Sequence, residues 1–266
     1  MEKILEKSER REWVVIENLG QQIFGILHRP VQVQNPPVVV ILHGFASCKQ
    51  GSNRCYIKLA ESFAKAGIAA LRFDFRGSGD SEGALSALSF EDLLSDALAV
   101  LEEVKGFQGV DHERIGLFGA SLGGSIAVLS ANQFQKIKAM ALWAPVASGE
   151  LWYRDFLTRY PEFIQVDPTK VFSNYRGIEL NPLFREQFGR MSAYKTIEHL
   201  PHLPILHMHG EKDDTVTIAH QEAFRLACPG ANARFLKYPD DQHSLGFSPC
   251  LPEVIGESLR WFQQHL

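Results

Sequence analysis

The segment Gly119-Ala120-Ser121-Leu122-Gly123 sets a serine between two glycines in the spacing G-x-S-x-G. Arg114 to Phe118 before it reads as a short buried strand, and Ser125 to Ala131 after it as a helix. A serine on so sharp a strand-to-helix turn has its hydroxyl pushed out of the sheet, where it can act as a nucleophile. Bulky residues at the flanking positions would clash, which gives both glycines a steric reason.

A serine hydroxyl is a weak nucleophile at neutral pH and needs a positioned base. On a strand-turn-helix serine the partners are expected in the order serine, acid, histidine. Of ten histidines, only His220, His243 and His265 follow a suitable acid. His220 falls on a helix by its spacing and His265 is next to the last residue. His243 lies in the polar stretch Pro239 to Ser244 after the last expected strand, and it is the base of choice. The acid comes from His209-Gly210-Glu211-Lys212-Asp213-Asp214-Thr215-Val216. Asp213 and Asp214 are adjacent, so only one can orient the imidazole, and composition alone does not choose. Asp240 and Asp241 are expected to shape their own turn. A tetrahedral intermediate also needs backbone donors. These are the N–H of Leu122 and, because Gly44 permits close approach, the N–H of Phe45 in His43-Gly44-Phe45. His43 is read as a structural residue that bonds the loop backbone.

The elements that must position these groups alternate along the chain. Glu12 to Leu19 and Gln21 to His28 read as a hairpin around Gly20. Pro37 to Leu42, Ile68 to Phe73, Ala139 to Trp143, Pro204 to Met208 and Arg234 to Tyr238 are strand-like runs. Tyr56 to Ala66, Phe90 to Val104, Ile218 to Ala227 and Glu253 to His265 have helical spacing. The alternation predicts an α/β fold, a mostly parallel sheet with helices on both faces. The stretch 146–200 is too long for one connection and holds ten aromatic residues. Trp152 and Phe156 share a helical face there, and Asn181-Pro182 has the form of a helix start. We expect a folded cap, residues 146–200, inserted into a core formed by 1–145 and 201–266. Trp152, Phe156 and Tyr175 are its candidate substrate-binding residues.

The remaining features bound the function. The 27 basic and 31 acidic residues nearly balance, which gives no electrostatic footprint for nucleic acid. No run of 18 apolar residues exists and charges are spread throughout the first ten residues, so neither a membrane span nor a signal peptide is expected. Four cysteines lack metal-ligand spacing, so reduced thiols in a cytoplasmic protein are expected, and the serine chemistry implies no metal or organic cofactor. Monomer and homodimer are both open. The glycine-rich run Asp74 to Gly83 departs from a phosphate-binding pattern by one position and carries Asp80 and Glu82. We expect it to be a tight turn held partly by an Asp74–Arg76 pair.

Together these residues resemble the α/β-hydrolases over nearly the whole chain. Four motifs fall in order: His43-Gly44-Phe45, Asp74-Phe75-Arg76-Gly77-Ser78-Gly79, the serine turn, and His209-Gly210-Glu211-Lys212-Asp213. The resemblance implies Asp213 as the acid, because Val216 follows it by three positions. Asp240-Asp241-Gln242-His243 departs from the family in lacking a glycine before the histidine. Within the superfamily the chain is similar to bacterial carboxylesterases of feruloyl or cinnamoyl type and to the serine aminopeptidase-like group. Ester hydrolysis through an acyl-enzyme on a small-molecule ester is the implied activity. Charged residues of the cap stand at seven basic and seven acidic, which favours an apolar or aromatic acyl group over a charged one. A peptidase would recognise an amine through cap carboxylates such as Glu150, Asp155, Glu162, Asp167, Glu179, Glu186 or Glu198. A thioesterase, an acyltransferase and a non-catalytic ligand-binding protein are the other readings.

Overall fold

The computed structural model describes residues 8–161, 174–175, 177–228 and 232–266. Eight strands form one sheet: β1 (Glu9–Asn18), β2 (Gln21–Pro30), β3 (Pro37–Leu42), β4 (Ala69–Phe73), β5 (Asp111–Ala120), β6 (Ile137–Trp143), β9 (Ile205–Gly210) and β10 (Ala233–Tyr238). Their spatial order is β1-β2-β4-β3-β5-β6-β9-β10. The hairpin β1–β2 joins β4 antiparallel, and every pairing from β4 to β10 is parallel. The fold is that of an α/β-hydrolase.

The apolar run of β3 shows why the sheet is covered on both sides. Its side chains alternate, as a strand's must. Val38, Val40 and Leu42 join one core with residues of α2 (Phe90–Val104), α3 (Leu122–Gln133) and α7 (Ile218–Ala227). Val39 and Ile41 join the other, with Leu59 and Phe63 of α1 (Cys55–Lys65) and Val254 and Phe262 of α8 (Leu251–His265). A polar residue anywhere on β3 would therefore be buried without water, and none occurs.

Between β6 and β9 lie α4 (Gly149–Arg159), the short strands β7 (Asn174–Tyr175) and β8 (Ile178–Glu179), α5 (Pro182–Arg190) and α6 (Ala193–Ile197). Both longer helices start as their sequences demand. Ser148 Oγ accepts the Leu151 N–H of α4 (3.1 Å), and Asn181 Oδ1 accepts the Leu183 N–H ahead of which Pro182 opens α5 (2.9 Å). Phe163, Phe172, Glu162 and Asp167 fall outside the described residues. Among the described residues no helix is long and apolar enough to cross a membrane.

The glycine-rich turn after β4 differs from expectation. Asp74 and Arg76 do not pair. Asp74 is buried and accepts the backbone N–H and Nζ of Lys49 (both 2.5 Å), while Arg76 Nε donates to Asp96 of α2 (2.6 Å). Their positions are two apart, which sends the side chains to different neighbours. Each found a countercharge distant in sequence. Asp74 thereby ties this turn to the segment after β3 that carries Gly44 and Phe45.

Candidate active site

All four sequence-predicted groups of the site arise just beyond the carboxyl ends of parallel strands, where open α/β sheets form their clefts. Gly44 and Phe45 follow β3, Ser121 follows β5, Asp213 follows β9 and His243 follows β10.

Ser121 sits at φ 54°, ψ −124°, a conformation that costs energy for a side chain bearing Cβ. The turn is possible because its neighbours are glycine. A Cβ on Gly123 would lie 2.3 Å from the carbonyl oxygen of His43, and one on Gly119 would lie 2.6 Å from Cα of Gly124. The strained serine is held through both of its backbone polar groups. Its N–H donates to the carbonyl of Trp143 (2.9 Å), and its own carbonyl accepts Gly124 N–H (3.0 Å). Leu122 occupies the first position of α3, where a backbone N–H has no acceptor within the helix.

His243 Nε2 lies 3.0 Å from Ser121 Oγ, and its Nδ1 lies 2.7 Å from Asp213 Oδ2. A carboxylate only accepts, so Nδ1 carries the proton and Nε2 presents its lone pair to the serine hydroxyl. The Asp213 side chain is fully buried. Its other oxygen accepts the N–H groups of Thr215 (2.9 Å) and Val216 (2.8 Å), which fixes its rotation. Asp214 points elsewhere: its side chain is 77% exposed and 3.8 Å from Arg159. The geometry thus brings Asp213, and not Asp214, to the imidazole.

The acid and histidine loops brace one another. Lys212 N–H donates to the Asp241 carbonyl (2.9 Å), and Glu211 N–H to that of Tyr238 (2.9 Å). Asp240 pairs with Lys212 and Asp241 accepts Ser248 Oγ, so both acids shape the turn as read. Trp143 contributes a support that the sequence reading missed. Its indole Nε1–H donates to the carbonyl oxygen of His243 itself (2.8 Å). The only signal for it was a tryptophan ending a strand beside the serine turn.

Other histidines frame the site without reaching Ser121 Oγ. His43 donates from Nδ1 to Gly44 O (2.8 Å) and accepts Phe75 N–H at Nε2 (3.1 Å), and burial lowers its pKa. His209 Nε2–H donates to Val216 O (2.8 Å), closing the loop that presents Asp213. With its proton on Nε2, His209 accepts at Nδ1 from His207 Nε2 (3.3 Å). His220 accepts the Ala147 N–H (2.9 Å), joining α7 to the start of the segment beyond β6. Burial, aided by the nearby His209, lowers its pKa to about 3. Each ring is therefore a neutral strut.

Ser121 and His243 open into a cavity of about 490 Å³. Trp152, Tyr153, Phe184 and Phe188, from α4 and α5, form its apolar wall together with Phe45. Phe184 packs on Phe45 at 5.0 Å between ring centroids. Phe156 is not part of this wall. It lies one helical turn beyond Trp152 and stacks behind that indole (5.9 Å, 24°). The backbone of Tyr175 is in β7, and its side chain lies outside the described residues.

A family model described as serine aminopeptidase, S33, matches residues 34–187, more than half of the chain. This chain belongs to the serine aminopeptidase S33 family. It is accordingly a member of the α/β-hydrolase superfamily. The S33 chain is similar to an uncharacterized 31.7 kDa protein from the traX-finO intergenic region of Escherichia coli, 31% identical over 43% of this chain and 39% of that one. It is also similar to lysophosphatidylserine lipase ABHD12 of Danio rerio, 34% identical over 84% of this chain and 58% of that one. The chain thus spans about two fifths to three fifths of the length of these curated relatives. In fold it matches Est1E from Butyrivibrio proteoclasticus with ferulic acid bound, at TM-score 0.80 and 22% identity over 95% of this chain and 98% of that one.

Proposed function

We propose that this S33-family hydrolase cleaves carboxylic esters of small molecules through an acyl-enzyme on Ser121. The observation that carries the reading is the unbroken hydrogen-bonded line from Asp213 through His243 to Ser121 Oγ, opening on a cavity with an aromatic wall.

His243 Nε2 takes the hydroxyl proton while Ser121 Oγ attacks the ester carbonyl. The carbonyl electron pair moves onto oxygen, and the N–H groups of Phe45 and Leu122 stabilise that charge. Collapse breaks the bond to the alcohol, whose oxygen takes the proton from His243. Water then attacks the acyl-enzyme and gives a proton to His243. The carboxylic acid leaves as Ser121 recovers its hydrogen from the imidazolium. Asp213 keeps the ring in the correct tautomer and stabilises it when charged.

Residues 146–200 act in this reading as a cap over the core made of 1–145 and 201–266. Trp152 is the cap residue of the sequence reading that contacts substrate; Phe156 backs it. The peptidase alternative is less well supported. Of its candidate carboxylates, those within the described residues are absent from the cavity wall, where Asp214 is the acid present.

A fluorophosphonate probe tests the nucleophile: it is expected to label the native protein and to leave folded Ser121→Ala unlabelled. Comparing 4-nitrophenyl esters with aminoacyl anilides tests the bond. Faster anilide cleavage would replace the ester reading with a peptidase.

A further inference from the structure

The wall of the Ser121 cavity contains a charge, Arg185, that no described residue balances. Arg185, on α5, lines the cavity with Ser121 and His243. Its Nε and Nη1 are buried and have no hydrogen-bond acceptor among the described residues. No carboxylate of the described residues lies within ion-pair distance of it. Acids of α5 and of the helix packed on it are engaged elsewhere: Glu186 with Arg190 (2.9 Å), and Asp155 with Thr217. Asp214, on the same cavity, faces Arg159 and solvent. The contrast with Arg76 is direct, since that buried guanidinium has Asp96 at 2.6 Å and Asp92 at 3.4 Å.

A guanidinium remains charged at any ordinary pH, and its donors form a planar fork suited to an oxyanion. Leaving two of them buried and unpaired is costly to the fold. The backbone of the residue is nonetheless held in place. Tyr153 Oη donates to the Arg185 carbonyl (3.4 Å), and the Tyr153 ring meets Phe188 edge-on at 5.7 Å. An aliphatic side chain would fill the same wall without that cost.

We infer that Arg185 is an anion-binding residue of this cavity, and that the ester cleaved at Ser121 carries a carboxylate or phosphate at the end of an apolar stem. The inference rests on the ester reading above and refines it. It also departs from the uncharged acyl group expected from the balanced composition of residues 146–200. An even total of charges says nothing about which charge faces the cavity alone.

Two measurements separate this inference from the reading beneath it. The first is the ratio of kcat/KM for mono-4-nitrophenyl dicarboxylates, from succinate to suberate, over the 4-nitrophenyl esters of the corresponding uncharged acids. We expect a ratio of at least ten for the best chain length. We expect it to fall at least tenfold in Arg185→Gln and to be partly restored in Arg185→Lys. A ratio of one or less at every length, or a ratio unmoved by Arg185→Gln, would overturn the anion site while leaving ester hydrolysis intact. The second is calorimetric binding of suberate and of glycerol 3-phosphate to Ser121→Ala, with and without Arg185→Gln. Arg185-dependent binding without any ester turnover would keep the anion site and remove the ester reading. Tighter suberate or tighter glycerol 3-phosphate assigns the anion as carboxylate or phosphate, and binding of neither overturns the site. Because the unpaired charge burdens the fold, Arg185→Met is expected to melt above the native protein. A lower melting temperature would count against an uncompensated charge.

Discussion

The indole N–H of Trp143 holds the main chain of His243: Nε1 donates to the His243 carbonyl oxygen at 2.8 Å. The same tryptophan accepts the Ser121 N–H at its own carbonyl (2.9 Å). One buried residue at the end of β6 therefore fixes the distance between the serine turn and the histidine loop. Trp143→Phe keeps most of the packing against Tyr238 and removes only the donor. Small displacements of reacting groups are expensive, so kcat should fall by about ten- to a hundredfold. KM should stay within about threefold if the residue only positions His243. A loss confined to KM would assign Trp143 to substrate binding instead, since the residue also lines the cavity.

Asp213 and Asp214 offer an internal control, being neighbours of the same type with opposite surroundings. Asp213 is buried on His243, whereas Asp214 is largely in solvent. Asp213→Asn would present an amide N–H where the ring needs an acceptor, and turnover should fall on the order of a thousandfold or more. Asp214→Asn should change it by less than about threefold, because a screened surface charge contributes little. Steady-state rates on one 4-nitrophenyl ester decide the matter. A larger loss at 214 would reverse the roles.

The serine turn, the histidine loop and the alternation of strands were legible because each is a local pattern of size and polarity. The acid needed the family resemblance to separate it from its neighbour, and its burial supplies the physical distinction. The start of α3 was less visible: Gly123 and Gly124 are poor helix formers, so the helical signal began at Ser125 although the helix begins at Leu122. The exchange of partners at Asp74 and Arg76, the Trp143 support and the lack of a described counter-ion at Arg185 were not legible at all. Each depends on which distant side chain packing brings close, and a one-dimensional pattern does not contain that.

Gly123 carries a steric prediction. A Cβ there would meet His43 O at 2.3 Å and Leu42 O at 2.4 Å, both backbone atoms that cannot swing aside. Gly123→Ala should destabilise the fold by about 2–3 kcal/mol through overpacking. For a domain of this size that corresponds to roughly 5–10 °C in Tm. Fluorophosphonate labelling should weaken as well, because the shift would move both the Phe45 loop and the serine. Unchanged melting would mean that α3 can slide away from β3, contrary to their tight approach.

Acid sensitivity should follow from the neutral histidines. His220 has a folded pKa of about 3 against an ordinary value of 6.5, chiefly through burial. His207 and His209 are shifted in the same direction for the same reason. Below pH 6.5 the unfolded chain takes up protons that the folded chain refuses, so the stability present above pH 6.5 declines as pH falls toward 3. His220 alone should remove about 2 kcal/mol between pH 7 and pH 5. Asparagine at this position can still accept the Ala147 N–H but does not titrate. Urea unfolding at the two pH values should therefore show a smaller drop for His220→Asn than for the native chain. Equal drops would mean that the native ring is already charged in the fold, with Asp155, 3.7 Å from its Nε2, serving as counter-ion.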